Sequence, residues 1–267
     1  MRELSPAVVS WGRVVLAAAA LAPVAALRGE LTFAGLSLPV ILALALTQTA
    51  GPFLLIAAGE QEVSSSLAGI LVASTPLFTA LLAIRIDHEE RAEGLRLVGV
   101  ALGLVGVALL LGFDLSGSGH ELLGGLAIVL ASLSYAIGGF ITKHRASRVS
   151  PFALATWMTL ASSVLLLPAA ALGAPTETPG IGPVAAVAAL GVVGTGVAYA
   201  IFYSLVASVG PARTFIVTYL APAFAVLYGA TLLSEAVTIA TLAGLALIVG
   251  GSYLAAEGRL PGRRRAP

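Results

Sequence analysis

Long apolar stretches recur along the whole chain and are separated by short polar turns. Nine of them approach the length of about 20 residues that a helix rising about 1.5 Å per residue needs to cross a bilayer. None alternates between apolar and polar positions, so membrane-spanning helices are favoured over a β-barrel. The predicted spans are 7–27, 38–58, 64–84, 95–113, 122–142, 151–172, 183–205, 212–233 and 238–256.

The composition supports a membrane location. Apolar residues make up 58% of the 267 residues and charged residues only 10%, which leaves too little polar surface to cover a soluble globule. The chain contains no cysteine, so the sequence predicts neither a disulfide framework nor a thiolate metal site. The predicted fold class is an all-α membrane protein with nine transmembrane helices.

The basic residues sort to one side of the predicted membrane. With the C-terminus in the cytoplasm, 12 of the 14 Lys and Arg residues fall inside, as the positive-inside rule expects of short loops. This bias predicts a multi-pass protein with its C-terminus in the cytoplasm. The arginine run at 263–265 favours contact with anionic lipid in a cytoplasmic tail rather than a nucleic-acid site.

The chain repeats its own plan after about 145 residues, counting from matched positions. Ser5 and Pro6, which open the first span, recur as Ser150 and Pro151 at a shift of 145. Similar shifts join further pairs: Pro39 with Pro183, Pro76 with Pro222, Glu90 with Glu235. Each helix comes five spans before its copy, an odd number, so the two copies cross the membrane in opposite directions and form an inverted repeat.

The repeat predicts three segments. Residues 1–113 form a first repeat of four helices, 121–256 form a second repeat of five, and 257–267 form the basic tail. The counterpart of the fifth span would precede Met1. Either the sequence begins at an internal methionine or the protein is a nine-helix variant.

The repeated stretches resemble the EamA-type branch of the drug/metabolite transporter superfamily. The pattern is a proline-broken helix, a glutamate at the next turn and a glycine-spaced helix. It occurs as ASTPLFTALLAIRIDHEERAEGLRLVGVALGLVG and as YLAPAFAVLYGATLLSEAVTIATLAGLALIVGG. The first span also resembles that family's second helix, with Arg13 in its early part. The resemblance implies ten helices in two five-helix inverted repeats, and export or exchange of small metabolites across a bacterial-type inner membrane, often against protons.

Arg13 is the one ionisable side chain clearly inside a predicted span. A charge near the bilayer centre costs at least about 2.5 kcal/mol, so such a residue usually faces a cavity or a partner. Arg13 is therefore a candidate for binding a substrate carboxylate or phosphate. The alternative is that it snorkels to the outer interface or ties helices together.

Other candidate substrate-binding residues are polar or aromatic side chains deep within the spans. A carboxamide at Gln48 needs hydrogen-bond partners, which a substrate or a neighbouring helix would supply. Tyr199 lies one turn from Thr195 on the same helix face, and core packing is the alternative for each aromatic residue. The predicted substrate-binding set is Arg13, Gln48, Tyr135, Trp157, Thr195, Tyr199 and Tyr219.

Prolines, turn glutamates and glycines predict how the helices bend and pack. Pro76 and Pro222 each remove a backbone hydrogen bond and are favoured as paired hinges, with static shape as the alternative. Glu90 and Glu235 lie at turns and are favoured as helix caps or loop partners. The glycines predicted to permit close packing are Gly99, Gly103, Gly106, Gly244, Gly250 and Gly251.

Together these features predict a secondary transporter that exports small organic metabolites or drugs. Enzyme motifs are absent and the three histidines are predicted to lie outside the spans, so neither catalysis nor a metal or other cofactor is expected. The expected partners are a small-molecule substrate and the lipid bilayer. Proton coupling is implied by the resemblance alone, and no oligomeric state is predicted. A non-transporting membrane scaffold or accessory subunit is the alternative.

Overall fold

A computed structural model describes residues 3–31, 36–86, 93–113, 119–209 and 220–258. These residues form helices joined by short turns, and no β-strand occurs among them. The helices are α1 (Pro6–Leu27), α2 (Leu38–Ala45), α3 (Gly51–Gly59), α4 (Ser65–Val72), α5 (Thr75–Ile86), α6 (Leu95–Phe113), α7 (Gly119–Arg145), α8 (Pro151–Leu172), α9 (Ile181–Gly191), α10 (Ala198–Val209), α11 (Ala221–Leu232) and α12 (Ile239–Glu257).

Two spans contain a π-helical segment between two α-helices. The first π segment, Leu46–Ala50, joins α2 to α3, and the second, Val192–Val197, joins α9 to α10. Their first residues are 146 apart, close to the shift that relates the two halves of the sequence. The irregular turns therefore lie at matched positions in the second and seventh predicted spans.

The predicted spans agree closely with the helices. Within the described residues, eight helical stretches are long and apolar enough to cross a membrane. The ends of α6 and α8 coincide with the predicted ends. A shorter apolar helix, α11, covers part of the eighth predicted span, and 212–219 lie outside the described residues. The prediction of an all-α membrane protein is confirmed.

The chain divides into two compact units, each made of two separate segments. The first unit is Met1–Ala57 with Gly138–Phe215, and the second is Ala58–Ile137 with Ile216–Pro267. In the first unit, α1 packs against α8 and α9. Small residues permit this contact, since Ala25 and Ala155 are fully buried.

In the second unit, α6 and α12 meet along a line of glycines. A Cβ on Gly99 would lie 2.6 Å from the Gly251 carbonyl oxygen, and one on Gly251 would lie 2.5 Å from the Gly103 nitrogen. Only glycine lets the two backbones touch. The close-packing prediction is wrong for Gly250, which has no atom within 4 Å of a built Cβ. One residue of helical rotation turns it away from the contact that Gly251 makes.

Glu235, in the turn between α11 and α12, caps the N-terminus of α4. Its carboxylate accepts hydrogen bonds from the Ser65 N–H at 2.8 Å, the Ser66 N–H at 2.9 Å and the Ser66 hydroxyl. The carboxylate lies over Gly229, where a Cβ would collide with it. A negative charge at a helix N-terminus also favours the helix dipole. The predicted capping role of Glu235 is confirmed, whereas Glu90 lies outside the described residues.

The hydrogen bonds set the charge state of Glu235. Partial burial acts to raise its pKa, but the bonds from the Ser66 hydroxyl and from the Ser66 and Ser65 N–H groups outweigh burial and lower the pKa. Because the pKa is lower in the folded than in the unfolded chain, the bonds stabilise the fold above the unfolded-state pKa. This stabilisation is lost as the pH falls through the folded-state pKa.

We expect Glu235→Gln to lower the free energy of unfolding by about 1 kcal/mol at neutral pH, as removal of a helix cap does. The variant should also lose less stability than the parent protein on acidification, because it lacks the titrating cap. Thermal unfolding of the purified protein from about pH 7 to about pH 3 measures both effects. Glu177→Gln, at an exposed loop position, is the control. Equal pH dependence in Glu235→Gln and the parent would contradict the cap.

Candidate functional site

Arg13 lies about two turns inside α1 and is half-buried. Its Nε group donates a hydrogen bond to the Thr195 hydroxyl oxygen at 2.7 Å. The centre of its guanidinium lies 3.7 Å from the centre of the Phe53 ring, within range of a cation–π interaction. A charge inside a span is thus held by a hydroxyl and an aromatic face.

Glycines bring α1 close enough to the seventh span for this contact. A Cβ on Gly12 would lie 2.8 Å from Val187 Cγ1. One on Gly191 would lie 2.7 Å from Leu16 Cβ and 3.0 Å from the Arg13 carbonyl oxygen. The backbone of the seventh span therefore rests on α1 at the residue that carries the charge.

The second π segment directs the Thr195 hydroxyl toward Arg13. Thr195 is fully buried, and its hydroxyl donates to the Leu190 carbonyl, five residues earlier, at 3.0 Å. A hydroxyl has one proton and two lone pairs, so the oxygen of Thr195 can accept from Arg13 while its proton is engaged. The π turn and the arginine contact thus share one hydroxyl group.

The first π segment makes the corresponding contact without a charge. Thr49, which is 146 residues before Thr195, is fully buried and donates to the Ala45 carbonyl at 2.8 Å. Its oxygen also makes a hydrogen bond with the Ser162 hydroxyl on α8. Each π segment therefore joins a buried threonine to a polar side chain of a neighbouring helix, and only the second uses an arginine.

Gln48 lies in the first π segment and is half-buried. A Cβ on Gly138 would lie 2.6 Å from its Cγ and Nε2 atoms and 2.7 Å from the Thr47 hydroxyl. The end of α7 therefore passes directly over this polar pair. The contact is a helix–helix one, and substrate binding by Gln48 stays a prediction.

The two predicted aromatic residues of the first unit pack against different buried clusters. Trp157 packs against the buried cluster that includes Leu44, and Tyr199 packs against the one that includes Leu21 and Phe152. Both are half-buried in the first unit. Tyr135 is half-buried in the second unit, and Tyr219 lies outside the described residues. Their roles in binding stay predictions.

Both candidate hinge prolines stand at the second position of a helix. The third span is interrupted between Val72 and Thr75, and Pro76 follows at once. Pro222 takes the same place in α11. Proline is well tolerated in a first turn, where its missing N–H has no helical acceptor. Motion at either site stays a prediction.

Hydroxyl groups of neighbouring helices donate to carbonyls where the third span is interrupted. Ser132 on α7 donates to the Leu71 carbonyl at 3.1 Å, and Ser252 on α12 donates to the Ala73 carbonyl at 2.7 Å. Both serines are fully buried or nearly so. The Ser252 bond gives the Ala73 carbonyl a partner inside the membrane, and the Ser132 bond adds to the one that the Leu71 carbonyl accepts from the Ser74 N–H at 3.1 Å.

Several of these contacts were absent from the sequence predictions. Phe53 and Ser162 lie on other helices, and nothing in their local sequence points to Arg13 or Thr49. The π segments were also missed, although the threonine recurring after 146 residues was an available signal. The part of the chain that is described holds no group of three or more His, Asp or Glu residues arranged for a metal ion.

The family model of EamA-like transporters matches residues 1–112 and 122–256. The chain belongs to the EamA-like transporter family. This EamA-family protein is 30% identical to "Uncharacterized inner membrane transporter YedA" of Escherichia coli K12, over 76% of its own length and 65% of that protein's. It is 24% identical to an "Uncharacterized transporter" of Archaeoglobus fulgidus, over 97% and 91% of the two lengths.

Two further comparisons describe this EamA-family protein. It is 27% identical to the "Probable amino-acid metabolite efflux pump" of Salmonella typhimurium, over 81% of its length and 76% of that protein's. A crystal structure matches with a TM-score of 0.67 and 22% identity, over 94% of this chain and 88% of that one, which supports the fold. The protein is therefore a multi-pass membrane protein with relatives named as transporters.

We expect Gly191→Ala to push α1 away from the seventh span and destabilise the protein by about 1–3 kcal/mol, as overpacking does. Gly194→Ala is a matched control in the second π segment, since a Cβ there would lie 3.4 Å from the nearest atom, a side-chain carbon. Thermal unfolding of both purified variants measures the difference. Equal melting temperatures would show that the close contact at Gly191 is not needed.

Proposed function

We propose that this EamA-family protein is a secondary transporter that exports small organic metabolites by alternating access between two inverted repeats. The observation that carries the proposal is the Arg13–Thr195 pair, a charge held inside a span by a buried hydroxyl. Charged groups in spans usually face the bundle interior or a water-filled pathway. In a scaffold helix that faces lipid, such a charge would be unfavourable and would have no role in binding a solute.

The matched irregular turns support alternating access. Inverted-repeat transporters build their sites where helices depart from regular geometry near the middle of the membrane. Here the second and seventh spans each contain a π-helical segment, and the two segments begin 146 residues apart. Each segment contains a buried threonine that bonds to a side chain of a neighbouring helix. We assign the repeats to 1–113 and 121–256, with the basic tail at 257–267.

The name of one relative supports both the outward direction of transport and the kind of solute that is transported. The Salmonella protein is named as a probable amino-acid metabolite efflux pump, and small polar metabolites of that kind suit a site with one arginine and several hydroxyls. The proposed site consists of Arg13 and Thr195 with Gln48, Trp157 and Tyr199, all in the first unit, and substrate binding by Tyr135 and Tyr219 stays an expectation from the sequence. The basic loops favour an inner-membrane location with a cytoplasmic C-terminus, and proton coupling stays an expectation from the family resemblance.

Water accessibility distinguishes a transporter from a scaffold. Since the chain has no cysteine, single Gln48→Cys and Tyr199→Cys variants can be treated in vesicles with a charged maleimide. A solute pathway predicts labelling at both positions, and slower labelling when a transported solute is present. Val164→Cys is the control, because Val164 is 72% exposed in the middle part of α8 and should face lipid. Labelling of neither site would favour the scaffold.

The hinge role predicts a kinetic effect. We expect Pro222→Ala to slow solute export from proteoliposomes more than it weakens solute binding, because a hinge acts on the conformational change. The initial rate of export and the dissociation constant are measured on the same preparation. Proportional loss of rate and affinity would argue against a hinge.

A further inference from the structure

The guanidinium of Arg13 presents an open edge. It has five N–H donors, and only the Nε one bonds to an acceptor in the described chain. Among the described residues, Arg13 is also the only charged side chain more than one turn inside a span. The Nη1 and Nη2 groups therefore carry a positive charge that no described carboxylate neutralises.

Two contacts fix the direction of this edge. Thr195 accepts from Nε on one side of the group, and the Phe53 ring lies against its face. Phe53 is itself only 5% exposed, so the ring has little freedom to move. A guanidinium fixed at Nε and on its face leaves Nη1 and Nη2 as a planar fork, the geometry that binds an oxyanion through two parallel hydrogen bonds.

We propose that the Nη1 and Nη2 edge of Arg13 binds the carboxylate of the transported solute, which is therefore a small organic monocarboxylate. Thr195 and Phe53 act as positioning residues that hold the guanidinium plane. This inference rests on the proposed transport function and adds the charge class of the substrate to it.

The amount of charge favours a carboxylate over a phosphate. A phosphate monoester carries close to two negative charges at neutral pH, whereas the described spans offer one deeply placed positive charge. An unbalanced charge in a low-dielectric span is unfavourable. A carboxylate balances Arg13 one to one, and its two oxygens match the spacing of the fork.

The test compares acids with amides of the same shape. Purified full-length protein is titrated at about pH 7 with propionate, benzoate and phenylacetate, and with propionamide, benzamide and phenylacetamide, at which pH the acids are ionised. Binding is measured by isothermal titration and by thermal stabilisation, followed through the fluorescence of Trp11 and Trp157. We expect at least one acid to bind and its amide to bind at least about tenfold more weakly.

The variants separate binding from positioning. Arg13→Gln should remove the preference for the acid, and Arg13→Lys should retain part of it, because the charge stays while the fork is lost. Thr195→Val should weaken acid binding, and Thr195→Ser, which restores the hydroxyl, should recover it. Arg28→Gln is the matched control, since Arg28 also lies over a phenylalanine ring, that of Phe152, but is exposed beyond the end of α1.

Three results would overturn the inference. They are equal binding of acids and amides, an acid preference that survives in Arg13→Gln, and no effect of any of the three acids on the parent protein. Transport of the same compounds into proteoliposomes tests the carrier function separately. Transport of neutral solutes without a preference for acids would support the transporter and contradict the carboxylate site. Acids that bind through Arg13 but are never transported would support the site and contradict the transporter.

Discussion

Backbone polar groups inside a bilayer must find partners within the protein, because hydrocarbon offers none. The irregular turns of this chain obey that constraint with hydroxyl groups. Thr195 donates to a carbonyl just before the second π segment and Thr49 to one just before the first, and Ser132 and Ser252 donate to carbonyls a few residues before Pro76. Each of these irregular turns therefore has a serine or threonine hydroxyl bonded to a nearby carbonyl, and these hydroxyls place polar groups inside the membrane.

The two π segments differ in the side chain that their buried threonine contacts. Their threonines occupy matched positions, but Thr49 meets the neutral hydroxyl of Ser162 while Thr195 meets the cation of Arg13. The irregular backbone geometry thus occurs at both matched positions, and a charge lies beside only one of them. The two π segments therefore differ in charge at matched positions, which is the asymmetry on which the proposed carboxylate site depends.

Much of the fold follows from the sequence, because about 20 apolar residues in a row specify a spanning helix with little help from the rest of the chain. The cap formed by Glu235 was also predictable from its place in a turn. The site was only half predictable. Arg13 and Thr195 were expected, but their contact with each other and with Phe53 depends on helix packing that joins residues far apart in sequence. The spacing of glycines along a helix did not predict which of them contact a neighbouring helix, since Gly251 packs against α6 and the adjacent Gly250 does not.

The charge on α1 has an electrical consequence. A group with one elementary charge that crosses the whole membrane potential does work of about 2.3 kcal/mol per 100 mV. Any rearrangement that shifts Arg13 along the membrane normal is therefore voltage-sensitive while the guanidinium is unneutralised. In the proposed carrier a bound carboxylate cancels that charge, so the membrane potential acts mainly on the rearrangement of the empty protein.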